Sequence, residues 1–290
     1  MKEIIVFLNG SFVPSSKANI SVFDRGLLYG DGLFETMRSY RGKVFALDEH
    51  LQRMSRSAEF IRMHFSNNTA RWHRIINKLL IYNKLDDKDS YIRITITRGV
   101  DYSRLTPSSH NLRPTEIVVV KPIPQRIKKN QVSGIKAVTL TFFKSSSVLS
   151  NIKSLNFLDN VIGAMMAKDM DTQEAIFISP EGTVLEGTVS NIFIIKNGRV
   201  KTPPLSSKIL PGITRQTVID IANKIGLEVA ETPIRKIDLL KSDEAFVTNS
   251  IIEVTPLIIV DGGNIGGGRH GEITQKILKG YKDIIRRKEG

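Results

Sequence analysis

Residues 151–161 read NIKSLNFLDNV. Lys153 stands there among Ile152, Leu155 and Phe157, where an extended run gives way to a helical pattern expected over Leu155–Asp169. Apolar neighbours at such a junction withdraw an amine from water and lower its pKa, which suits Schiff-base chemistry. A solvated lysine is the plainer alternative, and composition and spacing alone leave both open. A carboxylate, Glu186, follows 33 residues later.

Three further features suit an anion. Pro211-Gly212 makes a turn, and Ile213-Thr214 then opens a helix, with Thr214 as cap, Arg215–Ile225 as body and Gly226 as stop. Backbone N–H groups and the helix dipole point outward at such an end. Thr248-Asn249-Ser250 places hydroxyls and an amide directly after a strand at 244–248. Arg53 lies one position from the apolar stripe of an earlier helix and would need a counter-anion if half-buried. Singly, each reads equally as a capped helix, a polar turn or a surface arginine.

The chain has 290 residues, 41% hydrophobic and 24% charged, which excludes wholesale disorder. No apolar run approaches the ~20 residues of a membrane span. The start, MKEIIVFLNGSFVP, lacks the length and cleavage site of a signal peptide. With no cysteine, disulfides, zinc ribbons, iron–sulfur clusters and thiol nucleophiles are excluded, and no metal site is expected. A soluble, cytoplasmic protein is the expectation. The formal charge of +13 is spread along the chain, with small clusters at Arg126–Lys129 and Arg286–Lys288. Neither cluster is interleaved with aromatics, so a basic surface is favoured over nucleic-acid binding.

Periodicity orders the remainder. Residues 3–8 and 11–13 form two strands around Asn9-Gly10, and Leu47–Met63 a helix capped by Asp48. A helix over Thr69–Leu85 and strands at Tyr91–Arg98 and 116–121 complete a domain over 1–121. KPIPQRIKKN marks a linker at 122–133. The second domain, 134–290, has strands at 134–143, Glu174–Ile178 and Ser190–Lys196, with turns at Pro180-Glu181-Gly182 and Asn197-Gly198. A helix over Glu272–Arg287 closes it, and DGGNIGGGRHG at 261–271 fits a hairpin tip, not a phosphate loop.

NIKSLNFLDNV, LEGTVSNIF, ILPGITR and FVTNSIIEVTP, with FDRGLLYGDGLFETMRSYRG and HLQRMSRSA before them, resemble the fold-type IV pyridoxal-phosphate enzymes. That family includes branched-chain aminotransferases, D-amino-acid aminotransferases and aminodeoxychorismate lyases. The resemblance implies a mixed α+β fold, with a small N-terminal α/β domain and a larger C-terminal domain with a barrel-like core. It implies a homodimer and pyridoxal 5'-phosphate as cofactor. Lys153 matches the catalytic lysine that binds the cofactor aldehyde, and Glu186 the carboxylate on its ring nitrogen. Arg53, Ile213, Thr214 and the Asn249-Ser250 turn match the phosphate-binding positions, and Tyr29 and Phe34 the substrate pocket.

The member is less sharply marked. D-amino-acid enzymes carry Arg-x-His where this chain has Arg104-Leu105-Thr106, whereas Tyr91-Ile92-Arg93 resembles the Tyr-x-Arg of branched-chain enzymes. Arg93, Arg98 and Arg104 are the candidate substrate arginines. The expectation is an aminotransferase acting on an amino acid and a 2-oxo acid such as 2-oxoglutarate, of branched-chain or D-amino-acid type. Alternatives are an aminodeoxychorismate lyase releasing pyruvate to give 4-aminobenzoate, and a binding module without catalysis.

Overall fold

A computed structural model describes residues 3–141 and 148–289. The chain divides into two compact units, Met1–Ile123 with Ile152–Asn156, and Pro124–Asn151 with Phe157–Lys288. The expected strand over 134–143 runs past the described residues at its end.

The first unit contains β1 (Ile5–Leu8), β2 (Ser11–Pro14), α1 (Arg25–Tyr29), β3 (Gly32–Tyr40), β4 (Lys43–Val44), α2 (Leu47–Phe60), α3 (Thr69–Tyr82), β5 (Ser90–Thr97) and β6 (Thr115–Pro122). Its six strands run in the order β2-β1-β6-β5-β3-β4. Alternation on β5 puts Ile92, Ile94 and Ile96 on the face that packs with Leu51, Met54, Trp72, Ile76 and Leu79 of α2 and α3. Burying each such side chain is worth about 1.5–3 kcal/mol. Arg93 and Thr95 lie on the opposite face, across from Thr36 and Phe34 of β3.

Two details correct the sequence reading here. The cap of α2 is Ala46 in a left-handed conformation, and Asp48 sits in the first turn, accepting from the Thr69 hydroxyl at 2.7 Å. The strand β3, not anticipated at all, is buried along almost its whole length, so its two faces show no polar–apolar alternation.

The second unit contains α4 (Arg126–Ser133), β7 (Ile135–Leu140), α5 (Leu158–Asp169), β8 (Glu174–Ile178), β9 (Val184–Gly187), β10 (Asn191–Lys196), β11 (Arg199–Thr202), α6 (Ile213–Lys224), β12 (Val229–Glu231), α7 (Lys236–Leu240), β13 (Glu244–Asn249), β14 (Glu253–Val260), β15 (Gly263–Asn264) and α8 (Glu272–Glu289). Its strands run β12-β11-β10-β13-β14-β7-β8-β9, with β15 paired to β14. The sheet curls: β9 returns to β10 within three residues, where the Gly187 N–H donates to the Ser190 carbonyl at 2.7 Å. Ile176, Val184, Ile192, Val247 and Leu257 fill the inner face. Phe193 and Phe246 stack at 4.9 Å on the outer face and pack with Val218 and Ile219 of α6 and Ile277 of α8.

Residues 126–133, read from sequence as linker, form α4, anchored by buried Ile127. The helix expected from Leu155 begins at Leu158, because the preceding residues are extended. The Gly-rich segment does make a hairpin through β15. Among the described residues, no helix is long and apolar enough to cross a membrane.

Candidate functional site

Lys153 sits in the first unit, in an extended segment added to the free edge of β3. The Phe34 N–H donates to the Lys153 carbonyl and the Leu155 N–H to the Gly32 carbonyl, both at 2.9 Å. Backbone pairing therefore fixes the position of the lysine independently of its side chain. Gly30, with φ +65, closes α1 beside it; a Cβ there would stand 2.6 Å from Asn156 Oδ1, while Asn156 Nδ2 donates to the Gly30 carbonyl at 3.2 Å.

The half-buried Lys153 places its Nζ 4.4 Å from the centre of the Phe34 ring. The Arg93 guanidinium lies 3.8 Å from the same ring centre, with Nε donating to Thr95. Phe34 thus gathers two cations, an arrangement its negative ring face favours.

On the helix-covered face, adjacent Glu35 is wholly buried and joins Arg53 and His50 of α2. Arg53 donates from Nε (2.7 Å) and Nη2 (2.6 Å) to the two carboxylate oxygens, and His50 Nδ1 donates to Glu35 Oε2 at 2.7 Å. Burial opposes charge on Glu35, but Arg53 and His50 overcome it and hold the carboxyl far below its ordinary range. His50 is itself shifted down, by burial first and by the nearby charges of Arg53 and Lys153, against the raising influence of Glu35. Neutral His50 as donor to ionised Glu35 is the state these shifts describe. Arg53 has the counter-anion its position demanded, held side-on by two of its five donors.

This histidine gives the first prediction. A neutral folded histidine takes up a proton on unfolding below its ordinary pKa of about 6.5, so stability falls as pH drops through that value. The wild type should lose up to about 1.4 kcal/mol per pH unit below it relative to His50→Asn, whose amide can also donate to Glu35. Urea midpoints of both proteins between pH 7.5 and 5.5, at roughly half-unit steps, measure the difference; parallel profiles would contradict the assignment.

The other candidates of this unit lie elsewhere. Arg98 donates from Nε to Asp31 at 2.7 Å and from Nη1 and Nη2 to the Arg62 and Ile61 carbonyls at 2.8 Å. All three nitrogens tie the end of α2 to Asp31, which also accepts from Arg25 at 2.9 Å. Arg98, a candidate substrate arginine, is thus engaged within this unit. Arg104 is exposed and contributes its carbonyl to Arg25. Tyr29, partly exposed at the end of α1, has the Arg25 guanidinium 4.8 Å from its ring.

In the second unit, Glu186 on β9 is buried. Its Oε2 accepts from the Leu210 N–H at 3.1 Å and from Asn191 Nδ2 at 3.4 Å. Asn191 opens β10 and also donates to the Leu210 carbonyl at 3.0 Å. The strand turn behind it is anchored by buried Glu174, which accepts from the Thr188 N–H at 2.9 Å and the Ser190 hydroxyl at 2.7 Å. Burial raises the pKa of Glu174 in spite of these donors.

The helix α6 is capped by Gly212, not Thr214, and no side chain caps it. A Cβ on Gly212 would stand 2.0 Å from Asn191 Oδ1, so a side-chain cap does not fit. The first N–H groups of α6 therefore have neither an intrahelical nor a capping acceptor. Thr214 is buried within this first turn, and Arg215 turns away to Pro203 and Glu231. At the end of β13, Asn249 Oδ1 accepts from the Ile251 and Ile252 N–H groups at 2.8 and 2.9 Å, shaping the turn that carries half-buried Ser250.

Glu35, His50, Asn191 and Glu174 escaped the sequence reading. His50 and Arg53 stand three apart on a helix, and Glu35 lies inside the stretch FDRGLLYGDGLFETMRSYRG, so i,i+3 spacing beside a buried carboxylate was the available signal.

Comparison with known proteins adds the family. The profile of amino-transferase class IV matches residues 32–259. A Methanocaldococcus jannaschii protein named provisionally as a branched-chain-amino-acid aminotransferase is 39% identical, over 96% of each chain. D-alanine aminotransferase of Bacillus licheniformis is 34% identical, covering 97% of this chain and 96% of its own. The solved branched-chain aminotransferase of the thermophilic archaeon Thermoproteus uzoniensis, with norvaline, superposes with a TM-score of 0.87. It is 31% identical and covers 99% of this chain and 96% of its own. A profile match over well over half the sequence, and relatives above 30% identity along nearly all of it, make this chain a member of the class IV aminotransferases.

Proposed function

We propose that this aminotransferase moves the amino group of an L-branched-chain amino acid to 2-oxoglutarate. The observation that carries the choice is Arg93, which shares the Phe34 ring with Lys153, whereas Arg98 is committed to the fold and Arg104 lacks the histidine of D-specific enzymes.

Class IV aminotransferases use pyridoxal phosphate, and the donor sets fit it. An uncapped 12-residue helix start with no room for a side-chain cap suits a phosphate. A buried carboxylate held by an N–H and an amide suits a protonated pyridine nitrogen. When bound, the cofactor supplies the aldehyde that carries the amino group and the ring that spreads the charge left by the α-proton.

The chain's own residues do the rest. Lys153 Nζ would hold the cofactor aldehyde and would carry the α-proton of the substrate. Glu186 keeps a proton on the ring nitrogen. Arg53, the N–H groups of Ile213 and Thr214, and the Asn249-Ser250 turn would bind the phosphate. Phe34 and Tyr29 line the substrate side, and Arg93 attracts its carboxylate.

We also infer a homodimer working in the cytoplasm on small, diffusible substrates. Ile20, Val22, Phe23, Leu27 and Leu28 in one unit, and Leu158, Met165 and Met170 in the other, expose apolar surface of the kind a second subunit covers. Light scattering should give twice the chain mass of 32.5 kDa; a monomer would remove this inference.

Glutamate formation from 2-oxoglutarate tests the activity, with L- and D-isomers of Leu, Val, Ala and Glu as donors. L-Leu and L-Val should exceed every D-isomer by at least about tenfold in kcat/KM. Preference for D-Ala would replace the reading with the D-type. Pyruvate release from aminodeoxychorismate without glutamate formation would make the enzyme a lyase.

A further inference from the structure

Thr248 is the penultimate residue of β13 and only 1% exposed, and among the described residues its Oγ1 has no hydrogen-bond partner. A buried hydroxyl without a partner costs free energy, so it calls for an explanation. Position in the sheet supplies one. Thr248 pairs directly with Asn191 across β10, so the two side chains lie on the same face. Two residues further along, the same face carries the stacked Phe193 and Phe246 that pack with Val218 and Ile219 of α6. Asn191 itself abuts Gly212, where α6 begins without a side-chain cap. The unpartnered hydroxyl is thus on the sheet face that α6 covers, one cross-strand neighbour from Asn191, which abuts the helix start where the first N–H groups also have no intrahelical acceptor.

We propose that Thr248 is a further anion-binding residue, its hydroxyl donating to the cofactor phosphate held at the start of α6, directly or through one water. This rests on the pyridoxal-phosphate reading above. It differs from that reading in adding a strand residue from beneath the helix to the helix start, Arg53 and the Asn249-Ser250 turn. A donor that is unsatisfied without the anion and satisfied with it favours binding and lowers the stability of the cofactor-free protein.

Thr248→Val keeps the shape and removes the hydroxyl; Thr248→Ser keeps the hydroxyl. Cofactor-free protein of each is titrated with pyridoxal phosphate and with pyridoxal, which lacks the phosphate, following visible absorbance. Urea midpoints of the cofactor-free proteins are measured beside them. In Thr248→Val, affinity for pyridoxal phosphate should fall about tenfold, as expected for a hydrogen bond to a charged group. Affinity for pyridoxal should stay at the wild-type value, the urea midpoint should hold or rise, and Thr248→Ser should bind both aldehydes as wild type. Unchanged affinity for pyridoxal phosphate in Thr248→Val would overturn the proposal. Equal weakening of both aldehydes together with a lowered urea midpoint would overturn it too, since the hydroxyl would then serve the fold. If the wild type develops no visible band with either aldehyde, the underlying reading fails, and the proposal with it.

Discussion

Replacing Lys153 by alanine is expected to lower kcat by at least about four orders of magnitude, since it removes the proposed covalent anchor and proton carrier. The fold should survive the change. What the lysine contributes to structure comes from its backbone, which pairs with Phe34 and is flanked by the Leu155–Gly32 bond. The side chain adds its approach to the Phe34 ring, a contact worth about 0.5–1 kcal/mol at a partly exposed site. Circular dichroism and the urea midpoint should therefore stay near wild type while turnover disappears. Multiple turnovers at a rate within about tenfold of wild type would mean that another amine does the work.

Glu186→Gln is expected to reduce kcat by about two to three orders of magnitude, comparable to the loss of a preorganised electrostatic contact elsewhere. The amide oxygen can still accept from the Leu210 N–H, so the neighbourhood of Asn191 and Gly212 should keep its arrangement. What it cannot do is balance a proton on the ring nitrogen, because it carries no charge. The variant should bind the cofactor with the affinity of the wild type and fail at α-proton removal, seen as slowed exchange of the substrate α-proton with deuterated solvent. Wild-type exchange rates would assign the ring nitrogen to another partner.

The parts of this architecture visible in the sequence are those with a one-dimensional signature. The α2 and α3 stripes, the β5 alternation and the Pro-Gly entry to α6 each announce themselves within a dozen residues. The strand β3 was illegible because burial on both faces erases alternation, although it carries Phe34 and Glu35. The α4 helix was hidden by flanking prolines and lysines, with buried Ile127 as its main anchor. The Glu35–His50–Arg53 cluster joins a strand to a helix 15 residues on, and Thr248 meets Asn191 only through strand pairing. The three partners of Arg98, Asp31 and the Arg62 and Ile61 carbonyls, are likewise set by tertiary contacts that no local pattern announces.

Lys153, among the many lysines of this chain, is the residue proposed to bind the cofactor. Reduction of the holoenzyme with borohydride, followed by digestion and peptide mass spectrometry, locates the modified residue. A phosphopyridoxyl group on the peptide containing Lys153, and on no other lysine, is the predicted result. The same group on a different lysine, with the Lys153 peptide unmodified, would contradict it.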